Sequence, residues 1–248
     1  MKKLLLFFIL FFSVLNNISA QENWGGGVDG EQLHFGFTFQ YVASEFKILK
    51  LDNWKGPFDD TFNLGEFLID SELKSLSSPV NQGFGLGFVS DFRMGNNANL
   101  RFTPGMVFAD RVINYEFDDA AFNVEKRVQT SLIDLPLGVK LKSDRRKNFR
   151  AYLISGVKYS IDITSKKKTD DFGFPPIEKF LKNKKNTLWY EAGIGFDLYF
   201  DYFKMSPEIK FAQSVKSVLR DDDRVENPYI SPIDKLFIRN FQFSLYFE

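Results

Sequence analysis

The sequence predicts an all-β protein: an eight-stranded antiparallel up-and-down transmembrane β-barrel with both termini periplasmic. Three observations carry that expectation. From Leu33 onward apolar residues recur at every second position, in eight segments bounded by turn chemistry. The connections alternate in length, as in an up-and-down barrel whose short turns gather at one end and loops at the other. The chain also opens on a segment that reads as an export address.

That address comes first. Lys2 and Lys3 form a cationic start, residues 4–15 are apolar apart from Ser13, and residues 16–20 offer a small-residue cleavage end at Ala20. The apolar run is too short for a membrane helix of about 20 residues. Residues 1–20 therefore read as a cleavable signal peptide, 21–31 as a periplasmic Gly-rich lead-in, and 32–248 as an outer-membrane β-barrel.

The first segment sets Leu33, Phe35, Phe37, Phe39 and Tyr41 against His34, Gly36, Thr38 and Gln40. The second sets Phe84, Leu86, Phe88 and Phe92 against Gly83, Gly85, Gly87, Asp91 and Arg93, and the third Leu100, Phe102, Met106 and Phe108 against Arg101, Thr103, Gly105 and Arg111. In the fourth, Ile133, Leu135, Leu137, Val139 and Leu141 form the apolar face. The fifth pairs Leu153, Val157, Tyr159 and Ile161 with Arg150, Gly156, Lys158 and Asp162; the sixth pairs Leu188, Tyr190, Ile194 and Phe196 with Glu191, Gly193, Gly195 and Asp197. The seventh sets Met205, Ile209 and Phe211 against Lys204, Ser206, Glu208 and Lys210, and the eighth ends on Phe241, Phe243, Leu245 and Phe247. Period two fits each better than helical spacing does.

Short connections fall at 95–99, 143–148 and 201–202, long ones at about 50–80, 165–186 and 216–234, and one of intermediate length at 118–123. Pro104, Pro136 and Pro207 fall inside strands, where each removes a ladder donor, so bulges or early fraying are expected there. The polar faces carry Gly and charges of both signs. His34, Arg93, Arg101, Arg150, Lys158, Glu191, Asp197 and Glu208 are expected to form a barrel-interior polar network. Eight strands leave room for little beyond side chains, which excludes a conduit for folded proteins. Phe243, Leu245 and Phe247 resemble the C-terminal assembly signal of outer-membrane barrels, with Glu248 as a trailing departure.

Catalysis finds little support. No cysteine is present, and His34 is the one histidine, expected to be an interior imidazole hydrogen-bonded to polar neighbours. The runs at Gly25–Gly27 and Gly83/Gly85/Gly87 lack the spacing of phosphate cradles; the second is expected to give room to bulky interior side chains. Asp59 to Asp70 half meets calcium-loop spacing, but Leu64 stands where Gly is needed. No cofactor, metal or catalytic residue is assigned. Equal numbers of basic and acidic residues, 32 each, argue against a nucleic-acid partner. Trp54, Phe58, Phe172, Phe174 and Phe180 are candidate partner-contact loop residues, and the lysines at 166–168, 182, 184 and 185, which flank the last three in the 165–186 loop, suggest outer-membrane lipid and lipopolysaccharide contacts.

Trp24-Gly25-Gly26, the run from His34 to Tyr41, the run from Gly83 to Phe88, Leu135-Pro136-Leu137 and the run from Asn148 to Ser160 resemble the PorT/SprT family. The resemblance implies a Bacteroidota outer-membrane protein required for type IX protein secretion and associated gliding motility. It implies contacts with other outer-membrane secretion components and no active site. The alternative is a small-solute channel or ligand-binding outer-membrane barrel.

Overall fold

The computed structural model describes residues 30–56, 71–164, 181, 183–220, 227 and 229–248. Its main sheet is built from β1 (Leu33–Lys50), β3 (Asn81–Arg93), β4 (Ala98–Phe102), β5 (Gly105–Ala109), β8 (Ser131–Lys142), β9 (Phe149–Asp162), β10 (Asn186–Tyr199), β11 (Lys204–Ser214) and β12 (Ile233–Phe247). β4 and β5 lie end to end as one stave between β3 and β8. Every neighbouring pair is antiparallel, and β12 returns to β1 from Phe37 opposite Phe247 to Ile48 opposite Leu236. The ring therefore closes on eight staves, as the alternation predicts, and closure leaves no unpaired edge.

Period two puts the two faces in different surroundings. Phe35, Phe37, Phe39, Phe84, Phe88, Leu153, Ile194 and Phe241 project outward and are exposed, Phe88 to 73%. Their alternates His34, Thr38, Asp91, Lys158, Glu191 and Asp197 are buried within the ring. An apolar wall of this extent is a liability in water and an asset in hydrocarbon.

The prolines do not produce the expected bulges. Register runs unbroken past Pro136, opposite Lys158, and past Pro207, opposite Leu245. Only Pro104 interrupts a strand, dividing β4 from β5 while both halves keep one register against β3 and β8. Pro104 lacks a donor toward β3 and Pro136 lacks one toward Thr103, so two ladder bonds are missing at adjacent positions. The carbonyls still accept, Pro104 O from Phe88 N at 2.9 Å and Pro136 O from Thr103 N at 3.2 Å.

A second sheet occupies the long-loop end: β2 (Leu73–Ser77), β6 (Arg111–Phe117) and β7 (Val124–Val128), with β6 in the centre. β6 and β7 continue the β5–β8 hairpin in register, Arg111 opposite Val128. A single 3-10 turn, Ala120–Phe122, joins them, and Asp119 caps it by accepting from Ala121 N at 2.9 Å. The connection expected at 118–123 is thus the segment that carries this turn between β6 and β7, and β2 is a strand inside the loop expected at 50–80. Leu73, Ile113, Tyr115 and Phe117 pack with Phe46, Trp189, Leu219, Tyr229, Ile233 and Leu236 into an apolar dome over the barrel mouth. Each large side chain buried there contributes about 1.5–3 kcal/mol before chain entropy is counted.

Candidate functional site

Among the described residues, buried polar and charged side chains line the lumen from the short-turn end up to the apolar dome. Arg101, on β4, is almost wholly buried near the short-turn end. Its Nε and Nη2 donate to Asp91 Oδ2 at 3.1 and 2.9 Å, Nη2 also donates to Glu248 Oε1 at 2.8 Å, and Nη1 lies 3.5 Å from Glu208 Oε2. Lys204 Nζ donates to Glu248 Oε2 at 2.8 Å. Lys210 Nζ donates to Glu191 Oε1 at 3.1 Å and lies 3.3 Å from Glu208 Oε1. This connected chain thus holds four carboxylates, Asp91, Glu191, Glu208 and Glu248, against three cations.

Two further pairs stand beside it, Lys140 with Asp197 at 2.7 Å and Lys158 with Asp134 at 2.9 Å. Tyr152 and Tyr246 donate their hydroxyls to the two Glu208 oxygens, each at 3.0 Å. Burying so many charges is tolerable only because nearly every one is paired and hydrogen-bonded. Arg111 is the exception. It donates to Ser44 Oγ at 2.6 Å and Thr130 Oγ1 at 3.0 Å, and among the described residues no carboxylate lies within ion-pair distance of it. It sits where the polar lumen gives way to Phe46 and the dome, its guanidinium 5.9 Å from the Phe46 ring centroid.

Of the eight residues expected in the interior network, His34, Arg101, Lys158, Glu191, Asp197 and Glu208 are buried in the lumen. Arg93 and Arg150 have inward parity but lie at the short turns, where Arg93 Nη2 donates to Asn96 Oδ1 at 2.9 Å and Arg150 Nε to Ser143 O at 2.7 Å. They correct the expectation because each is at or next to its strand's end, where the wall no longer covers it. His34 is also a correction. Neither ring nitrogen makes a hydrogen bond: Glu248 Oε2, 3.4 Å from Nε2, already accepts from Lys204 at 2.8 Å, and Arg101 holds Asp91 through Oδ2 alone, leaving Oδ1 unpartnered.

Trp54 packs partly buried against the dome, with Lys50 Nζ 3.9 Å from its ring centroid. Phe58, Phe172, Phe174 and Phe180 lie outside the described residues, as do the signal peptide, nearly all of the lead-in and the calcium-like spacing from Asp59 to Asp70. Phe243, Leu245 and Phe247 face outward, and Phe247 stacks on Phe37 with centroids 5.2 Å apart. The glycines serve two ends. Tyr152 lies over Gly195, where a Cβ would come within 2.4 Å of its ring, whereas at Gly83 the obstacle is the opposing Phe108 carbonyl.

Sequence patterning places Asp91, Lys204 and Lys210 on polar faces without distinguishing them from other charges. Glu248 is missed altogether because it reads as a departure from a terminal signal. Parity was the available clue: Phe247 points outward, so Glu248 must point in.

The family model for the outer membrane protein beta-barrel domain matches residues 20–220. No curated relative matches the chain. Among solved structures, the outer membrane protein OprG from Pseudomonas aeruginosa is similar at 13% identity, with 92% of this chain and 97% of that one covered and a TM-score of 0.44. Ail, the attachment invasion locus protein of Yersinia pestis, is similar at 8% identity over 88% and 98% of the two chains, with a TM-score of 0.33. The N-terminal β-barrel domain of Pseudomonas aeruginosa OprF is similar at 8% identity over 85% and 96%, with a TM-score of 0.31.

Proposed function

The chain belongs to the outer membrane protein beta-barrel domain family, and from that premise we propose that it is a non-enzymatic component of a type IX-like protein export system. It acts through contacts with other outer-membrane secretion components. In this reading the long loops and dome are extracellular, and the short turns and both termini are periplasmic.

The observation that carries the proposal is the double closure of the lumen. Ion pairs fill the half nearer the short turns, and an apolar core of buried side chains covers the other end. A barrel closed twice along its axis has only its surfaces left to work with: the lipid-facing wall, the turns and the dome. The PorT/SprT resemblance supplies the process in which such a surface acts.

The test is a clean deletion in the native host, scoring secreted cargo together with outer-membrane integrity. Cargo retained in the periplasm of an intact cell, and released again when the gene is restored, is the expected result. Normal secretion overturns the export role. Discrete single-channel steps from the purified protein in a planar bilayer overturn the closed-lumen premise and favour a small-solute channel.

A further inference from the structure

We propose that His34, Asp91 and Glu248 form a binding site for a divalent transition metal of the zinc class at the short-turn end of the lumen. The three residues come from adjacent staves. His34 is the second residue of β1 and stands opposite Asp91 of β3, while Glu248 follows β12 on the other side of β1. All three side chains point inward. One imidazole nitrogen and one oxygen of each carboxylate lie within 4.8 Å of one another, with His34 Nε2 3.4 Å from Glu248 Oε2.

The site is built rather than incidental. His34 is only 6% exposed and both carboxylate side chains are fully buried. Among the described residues, Nδ1 and Nε2 of His34 and Oδ1 of Asp91 have no hydrogen-bond partner. A neutral imidazole carries one N–H and one bare nitrogen, so two unmet acceptors, that nitrogen and Asp91 Oδ1, are buried in one cluster. A cation between them engages the nitrogen lone pair and the free carboxylate oxygen together.

The donor set suits zinc, which takes imidazole and carboxylate at about 2.0–2.2 Å and holds tetrahedral ligand atoms about 3.4 Å apart. The His34–Glu248 contact already has that spacing. The widest separation, at most 4.8 Å, needs to close by up to about 1.4 Å, which side-chain rotation supplies. Arg101 acts as the outer layer: by holding Asp91 Oδ2 and Glu248 Oε1 it fixes both carboxylates and leaves Asp91 Oδ1 to the metal. Around the site itself Arg101 and Lys204 balance Asp91 and Glu248, so a bound metal adds net positive charge unless a cation gives way. Lys204 is the competitor, since its Nζ already donates to Glu248 Oε2. Metal must displace or share that contact, and this sets the affinity.

The test uses the chain folded in detergent micelles, purified without a histidine tag and stripped with chelator. Because His34 is the one histidine of the sequence, a single set of imidazole NMR resonances reports on it without any substitution. Zinc is expected to bind at one equivalent by calorimetry and to shift those resonances. His34→Ala, folded by its heat-resistant electrophoretic mobility, is expected to lose at least tenfold in affinity, and Lys204→Met to gain about tenfold. Imidazole resonances that stay unmoved at saturating zinc overturn the proposal, as does equal binding by folded His34→Ala. If His34→Ala fails to fold, the resonances of the unsubstituted chain and the Lys204→Met affinity still decide it.

Discussion

Arg101 and Glu248, 147 residues apart in the chain, meet across the lumen with Nη2 2.8 Å from Oε1, and neither side chain has more than 1% of its surface exposed. The contact ties the stave formed by β4 and β5 to the residue following β12, and Lys204 adds β11 through the other oxygen of Glu248. Four staves therefore share one buried salt-bridged cluster once Asp91 of β3 is included.

That arrangement separates two arginines that look alike in the sequence. Arg101→Met leaves Asp91 without an ion-pair partner and weakens the hold on Glu208 and Glu248, so it is expected to cost about 3–5 kcal/mol. Arg111→Met removes a buried charge that has no carboxylate within ion-pair distance among the described residues. Ser44 still donates to Asn240 Oδ1 and Thr130 to Ala109 O after that change. It is expected to fall within about 1 kcal/mol of neutral, on either side. Urea unfolding in lipid, followed by the electrophoretic mobility shift, checks both. Equal losses would mean that pairing does not govern the lumen's stability.

Gly195 is the companion of Tyr152. A Cβ there would meet the phenol ring carbon and oxygen at 2.4 Å, and the phenol is what donates to Glu208 Oε2 at 3.0 Å. Gly195→Val is expected to displace the ring, break that hydrogen bond and destabilise the barrel by about 1–3 kcal/mol, the range of overpacked interiors. Combining it with Tyr152→Phe should give less than the sum of the single losses, because both act on one contact. Additive losses in the same unfolding assay would argue that Gly195 matters for strand geometry instead.

The barrel was legible because period two is a strong signal when one face meets lipid and the other a charged lumen. Phe35, Phe37 and Phe39 against His34 and Thr38 leave no doubt about parity. The dome was not legible, and the reason is physical. Toward the long-loop end the inward face changes from polar to apolar, through Ser44 and Phe46 on β1, Trp189 on β10 and Leu236 and Ile238 on β12. Alternation weakens where both faces become apolar, and Val112, Ile113 and Tyr115 of β6 are all buried. Short strands such as β2 and β7 then look like loop. In the lumen, inward parity was readable residue by residue, but pairing such as Lys204 with Glu248 depends on stagger between staves, which the sequence does not display.

Within the dome, Tyr115 donates its hydroxyl to Tyr229 O at 2.7 Å, and the two rings meet edge to face at 5.2 Å. Tyr115→Phe keeps the ring contact and leaves a buried carbonyl without that donor, so a loss of about 1–3 kcal/mol is expected, confined to the dome. Limited proteolysis should then cut the dome faster while the heat-resistant mobility of the barrel is unchanged. A variant that weakens the whole barrel equally would show the dome and barrel to be one cooperative unit.

The same hydroxyl sets the dome's alkaline limit. Burial is the main influence on Tyr115, with Tyr229 beside it a smaller one, and both push the phenol well above its ordinary value; burial pushes Tyr229 up as well. In the opened dome these phenols ionise near pH 10, while in the closed dome they stay protonated. Above that pH the open state binds fewer protons than the closed one, so stability falls as pH rises. Closure is therefore expected to be complete below about pH 10 and to weaken steadily above it. Trp189, fully buried in the dome core, gives the readout through fluorescence quenching by added iodide between about pH 9 and about pH 12. Quenching should appear as pH climbs through that window, and Tyr115→Phe should flatten its pH dependence even though its dome is looser throughout. A Tyr115→Phe profile as steep as the parent's would place the titration on other groups.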